Sequence, residues 1–169
     1  MVVARPKAGK SWLMLQCAVH VAGGRKIEGV NVCETGSVLY GAFEEPAART
    51  IGRLRKLTAG GAWAKNLHFV YELLPLMGGG AEQLAAAIGR VEPRLIVLDT
   101  LTALIKGGGK RDNDVFRSQH AEMSRIRKIA EDYHTAIVLV HHVRKGMADS
   151  AVEAVAGRGC RAGAIRPAA

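Results

Sequence analysis

Ala4-Arg5-Pro6-Lys7-Ala8-Gly9-Lys10-Ser11 follows the apolar run Met1-Val2-Val3 and precedes Trp12-Leu13-Met14-Leu15-Gln16-Cys17-Ala18-Val19. A strand, a small-residue loop ending Gly-Lys-Ser and then a helix is the layout of a phosphate-binding P-loop. Backbone N–H groups of such a loop and the positive end of the following helix converge on phosphate oxygens. In that scheme Lys10 reaches the outer phosphates and the Ser11 hydroxyl ligates Mg²⁺. Ala4 stands where G-x-x-x-x-G-K-[ST] asks for its first Gly. Ala is small, but it does not take a positive φ cheaply as Gly does. A chance Gly-Lys-Ser in a turn is the competing reading, and the rest of the chain has to decide.

The length of 169 residues suits one domain with a sizeable core. No apolar run approaches the roughly 18–20 residues of a membrane span. Arg5, Lys7 and Lys10 break the pattern of a signal peptide. Cys17, Cys33 and Cys160 have neither metal spacing nor an even count. They fit a reducing, cytoplasmic location with no membrane partner. The net charge of +9 favours a polyanionic partner, although aromatics at 5% offer no evident stacking platform.

Apolar periodicity predicts a helix from about Gly9 to Val21, stopped by Gly23-Gly24. Residues 25–36 read as a loop. Ser37–Phe43 reads as a buried strand ended by Glu44-Glu45-Pro46, and Pro46 opens a helix. Ile51, Leu54 and Leu57 line that helix, leaving Arg49, Arg53, Arg55 and Lys56 toward solvent. Leu67–Tyr71 is a further strand. Gly78–Gly80 is a flexible break before a helix bearing Leu84, Ala87, Ile88 and Val91. Leu95–Asp99 is apolar up to its acidic end, as in a strand buried on both faces of a parallel sheet. Residues 107–114 read as a loop. Asp114 then caps a helix whose stripe is Val115, Phe116, Gln119, Met123, Ile126, Ala130 and Tyr133. Thr135–Val140 is the last strand and leads to His141-His142. Strands alternating with helices predict an α/β fold, a mainly parallel sheet flanked by helices. Both ends read as incomplete: the first strand is short for a central one, and the residues from 157 onward carry no apolar period.

Ligands of open α/β sheets bind beyond the carboxyl ends of the strands. The strands predicted here end in the loop 4–11, Glu44-Glu45, Asp99-Thr100 and His141-His142. Asp99 after Leu-Ile-Val-Leu has the Walker B pattern, a carboxylate that would hold Mg²⁺ beside Ser11. Glu44 or Glu45 would polarise an attacking water as general base, with Glu45 slightly preferred. Two solvated charges at a helix start are the competing reading. His141 or His142 would sense a γ-phosphate, and Arg144 and Lys145 would meet phosphate in a neighbouring subunit's site. A capping histidine and a solvated basic turn are the alternatives.

Ala-Arg-Pro-Lys-Ala-Gly-Lys-Ser-Trp-Leu, Val-Leu-Tyr-Gly-Ala-Phe-Glu-Glu, Leu-Ile-Val-Leu-Asp-Thr-Leu and Val-His-His-Val-Arg-Lys-Gly occur in that order. Together they resemble the RecA-like P-loop ATPases of the RepA type. These are AAA-family hexameric replicative helicases of broad-host-range plasmids and their phage- and island-borne relatives. The resemblance spans about residues 1–157, leaving 158–169 as a tail. It implies a RecA-like fold, ATP and Mg²⁺ as ligands, and nucleotide sites between subunits of a ring, expected to be a hexamer. It also implies hydrolysis coupled to translocation on single-stranded DNA. By position, Ala4, Arg5, Pro6, Lys7, Ala8, Gly9, Lys10, Ser11 and Trp12 would form the nucleotide loop. Ser11 and Asp99 would serve the metal, and Glu44 or Glu45, His141 or His142, Arg144 and Lys145 would serve the chemistry. Family members continue with a Gly/Ser-rich segment and further strands, which residues 157–164 only faintly echo. A truncated ATP-binding module and a small-molecule phosphotransferase are the other readings of the same core.

Overall fold

Strand β4 (Leu95–Asp99) lies between β2 (Val38–Ala42) and β5 (Ala136–His142), and the sheet is built outward from it. The computed structural model describes residues 1–24, 35–105 and 112–142, with the backbone alone at 112–119. Its sheet runs β1-β5-β4-β2-β3, with β1 at Val2–Ala4 and β3 at Leu67–Val70, and every pairing is parallel. The expected α/β fold with a parallel sheet between helices is the observed one, consistent with a RecA-like P-loop domain. The boundary expected at 157/158, Arg144, Lys145, Cys33 and Cys160 lie outside the described residues.

A strand whose two faces both meet helices must be apolar at every position. All five residues of β2 are buried, as are four of the five in β4. Alternate residues then serve opposite cores. Leu39, Ile96, Leu98 and Leu139 pack with α3 (Gly80–Val91) and α5 (Asp112–Asp132). Val38, Tyr40, Val97 and Val140 face Leu15, Ala18 and Val19 of α1 (Lys10–Gly23), and Leu54 of α2 (Ala47–Leu57). Each large apolar side chain so buried contributes about 1.5–3 kcal/mol. The β4–β5 register sets Asp99 against Val140, and the β1–β5 register sets Ala4 against His142. Strand β5 therefore overshoots β4 by the two histidines, which reach the start of the loop.

Several expectations shift in detail. His141 and His142 are the last residues of β5, not a turn after it. Pro46 is the N-cap of α2 instead of its first residue. Gly78 ends a 3₁₀ turn (Leu76–Gly78) and Gly80 starts α3, so the glycine run is structured. A Cβ on Gly80 would fall 1.9 Å from the Leu74 carbonyl oxygen, so close backbone approach, not flexibility, requires glycine there. Helix α5 begins at Asp112, which puts Asp114 inside the helix rather than at its cap. Among its described side chains Glu122, Ile126 and Ile129 are buried, with Met123 packed at the margin and Tyr133 exposed. Ile126 of the expected stripe is buried, Glu122 and Ile129 join it, and Val115, Phe116 and Gln119 lie outside the described side chains.

Glu122 is 1% exposed, and its Oε2 has no hydrogen-bond partner among the described residues. Burial raises its pKa above the ordinary 4.5. A carboxyl with a raised folded-state pKa binds its proton more tightly in the native than in the unfolded chain. Stability is therefore lost as pH climbs from the unfolded value through the folded one. Glu122→Gln removes that loss. Its melting temperature at neutral pH is expected to exceed that of the unaltered chain by about 2–4 °C, for a gain of about 1 kcal/mol. Thermal unfolding followed by circular dichroism at pH 4 to 8 checks this, and the advantage should shrink toward pH 4.

Candidate nucleotide site

The loop between β1 and α1 turns through positive φ at Lys7 (65°) and Gly9 (83°). Ala4 is not among the positive-φ residues; it lies in β1, paired with His142. The missing first glycine thus removes no conformation that this loop uses. Gly9 is the N-cap of α1, and a Cβ placed on it would meet nothing within 4 Å, so space lies open above the loop. Pro6, Lys7 and Ala8 are exposed, and Trp12 is partly so at 37%.

Lys10 is the buried member of the loop, 5% exposed. Its ammonium donates to the Ala4 carbonyl at 2.6 Å and the Arg5 carbonyl at 2.8 Å. An ammonium has three donors, so one is left over. Burial lowers the Lys10 pKa, while the negative charges of Asp99 and Glu44 act to raise it. Both carboxylates are therefore electrostatic neighbours of the loop lysine, although they come from different strands.

Asp99 is 7% exposed at the end of β4. The Tyr40 hydroxyl donates to Asp99 Oδ2 at 2.9 Å and also lies 3.3 Å from the Ser11 carbonyl oxygen. One phenol thus joins β2, β4 and the first turn of α1. Burial, together with the charge and hydrogen bond of Asp99, pushes the Tyr40 pKa far up, so the phenol stays protonated and donating.

The adjacent glutamates separate. The Phe43 N–H donates to the Asp99 carbonyl at 2.8 Å and pins the end of β2 to the end of β4. Beyond it, Glu44 Oε1 accepts from Thr100 Oγ1 at 2.5 Å, and Glu44 Oε2 lies 3.1 Å from His142 Nε2. Glu45 turns to α2, accepting from Thr50 Oγ1 at 3.1 Å and Arg53 at 2.9 Å. Glu44 meets the ends of the neighbouring strands, whereas Glu45, preferred from the sequence and the less exposed of the two (15% against 45%), meets α2. Arg53, read as solvated, is tied to Glu45 in an ion pair.

The two histidines also differ. His142 touches Glu44 through Nε2, whereas the His141 pKa is lowered by burial, by His142 and by the charge of Lys10. Nδ1 of each ring is buried and has no hydrogen-bond partner among the described residues. Such orphaned ring nitrogens cost free energy in the free protein and suit a site that takes a polar ligand.

Of the residues predicted from sequence, the fold brings Lys10, Ser11, Asp99, Glu44, His141 and His142 to one edge of the sheet. Glu45 pairs with α2, yet its charge still acts on Tyr40. Tyr40 and Thr100 were not singled out from the sequence. Their only signals were a phenol inside an otherwise apolar strand and a hydroxyl following the Walker-type aspartate. A separate cavity of about 560 Å³ lies beside this cluster, lined by Phe43, Tyr71, Glu72, Leu73, Gln83 and Leu104 among others. Neither the loop nor Asp99 lines it.

Residues 1–148 match the sequence model of the AAA domain family. The chain belongs to that family. Membership makes this an AAA-type P-loop ATPase domain and implies nucleotide binding, the role that its loop geometry suits. Among the described residues no helix is long and apolar enough to cross a membrane.

Two outcomes follow from this geometry. Tyr40→Phe leaves a buried carboxylate without its phenolic donor and is expected to cost about 1.5–3 kcal/mol, measured by urea denaturation. For His141 the folded pKa lies below the unfolded value of about 6.5. Acidification below that value protonates the unfolded chain before the native one, so stability falls until the folded pKa is passed. His141→Gln should flatten the stability profile between pH 7 and 5; an unchanged slope would show that His141 does not carry it.

Proposed function

We propose that this AAA domain hydrolyses ATP, with Lys10 and the loop amides on the phosphates and Glu44 as general base. The observation that carries the proposal is the Glu44 carboxylate, held between Thr100 and His142 within the field of Lys10. In the step itself the oxygen of a water attacks the γ-phosphorus while Glu44 takes the proton. The bond to the bridging oxygen breaks, leaving ADP and phosphate. Lys10 stabilises the charge that gathers on the phosphate oxygens. His142, already in contact with Glu44, is placed to couple the loss of phosphate to a movement of β5.

The donors at this edge suit Mg²⁺. A hydroxyl at Ser11 and a carboxylate at Asp99 are hard oxygen ligands, and nucleotide-bound Mg²⁺ ordinarily takes only one or two of these from protein. A free-standing cage is not built here: no group of three His, Cys, Asp or Glu residues is arranged for a metal among the described residues. Bound with the nucleotide, Mg²⁺ would neutralise phosphate charge.

We further read the chain as a RepA-type motor that works in a ring on single-stranded DNA. The net charge of +9 and the ordered motifs of the sequence support this. So does the basic pair Arg144-Lys145, which would act on a neighbouring subunit's nucleotide.

ATPase assays with and without single-stranded DNA test both levels of the proposal. Lys10→Ala is expected to abolish turnover, and undiminished turnover would sink the P-loop assignment. Glu44→Gln is expected to lower kcat by about 10²–10⁴-fold, with far less loss in Glu45→Gln. Turnover that is indifferent to DNA would count against the motor.

A further inference from the structure

Thr100 follows β4 and stands at the N-cap of α4 (Leu101–Leu104), with extended backbone angles of φ −118° and ψ 163°. A threonine there ordinarily turns its hydroxyl onto the free N–H groups of the helix. No side-chain cap bond forms in this case. The hydroxyl donates instead to Glu44 Oε1 at 2.5 Å, across 56 residues of sequence. Thr100 has no exposed surface, so solvent does not compete for that proton. The second Glu44 oxygen meets His142; the His142 side chain is 30% exposed and that of Glu44 45%, so the carboxylate is open to the water it would activate.

A carboxylate anchored through one oxygen can still swing about that contact. Anchored through both, it is fixed in position and plane, which is what aiming it at a water requires. The hydroxyl is the sheltered anchor and the imidazole the solvent-facing one. We propose that Thr100 is a positioning residue, whose hydroxyl is diverted from helix capping to hold Glu44 in the orientation used for water attack. This rests on the reading of Glu44 as the base. Thr100 itself touches neither water nor phosphate in this scheme; it acts through the carboxylate.

Thr100→Val keeps the shape and removes the proton; Thr100→Ser keeps the proton. Thr100→Val is expected to lower kcat by about 10–100-fold, as misplacement of a catalytic group does, while KM and the affinity for a fluorescent ATP analogue stay within about twofold. Thr100→Ser should restore most of kcat. In a Glu44→Gln background Thr100→Val should add no further loss, since the carboxylate that it positions is already gone. If Thr100→Val does not fold, judged by circular dichroism, Thr100→Ala takes its place in the same cycle. Unchanged kcat in the hydroxyl-free variant overturns the inference, as does an equal loss in the Glu44→Gln background. Full turnover in Glu44→Gln itself overturns the base assignment instead, so the two failures are told apart.

Discussion

The Tyr40 hydroxyl and the Asp99 carboxylate, 2.9 Å apart and buried, make the contact on which the nucleotide edge depends. A carboxylate taken out of water is costly unless donors and an opposite charge replace its hydration. Asp99 has both: the phenol donates directly, and the Lys10 ammonium supplies positive charge from the loop. Because Tyr40 sits on β2 and also reaches the Ser11 carbonyl, solvating Asp99 locks three elements together. The same low dielectric that makes the isolated charge expensive strengthens the paired one. Removing any partner would loosen the base of the loop as well as the carboxylate.

Sheet order turns that contact into a site. With β5 inserted between β1 and β4, the loop after β1 does not follow a strand adjacent to the Asp99 strand. The two-residue overshoot of β5 bridges the gap, setting His142 against Ala4 on one side and against Glu44 beyond β4 on the other. Parallel strands gather their carboxyl ends at one edge, so residues 98 positions apart meet there without any long loop having to find its place. The divergence of Glu44 and Glu45 has an equally local cause. The chain bends at both residues after β2 ends, and the bond from Phe43 N–H to the Asp99 carbonyl holds the start of that bend against β4.

Strands and helices were legible in the sequence wherever one face or both are uniformly apolar, as in Val38–Ala42 and Leu95–Asp99. The reading failed where a polar residue takes a core position. Glu122 is buried beside Ile126, a place that its charge did not suggest. Ala4 looked like a defect only because the motif is written as if its first glycine always needed a positive φ; this backbone places that need at Lys7 and Gly9. The glutamate that meets the neighbouring strand ends was not legible, because its partners Thr100 and His142 lie at the ends of other strands. Thr100 entered the sequence reading only as the neighbour of Asp99, and its hydroxyl turns to Glu44 instead of capping α4.

The arrangement also bears on how the site would open to an anion. Lys10 spends two donors on the carbonyls of Ala4 and Arg5, residues of its own loop. A phosphate entering the loop competes with those carbonyls for the same protons, so it replaces charge-assisted bonds instead of creating all of them anew. The net gain then comes from the difference between a charged and a neutral acceptor, and from the backbone N–H groups of the loop. Ala4 is paired with His142, and His142 with Glu44, so the carbonyl that Lys10 would leave lies two contacts from that carboxylate. Loop occupancy and the orientation of Glu44 are thus mechanically adjacent, linked through a single strand end and not through a chain of distant contacts.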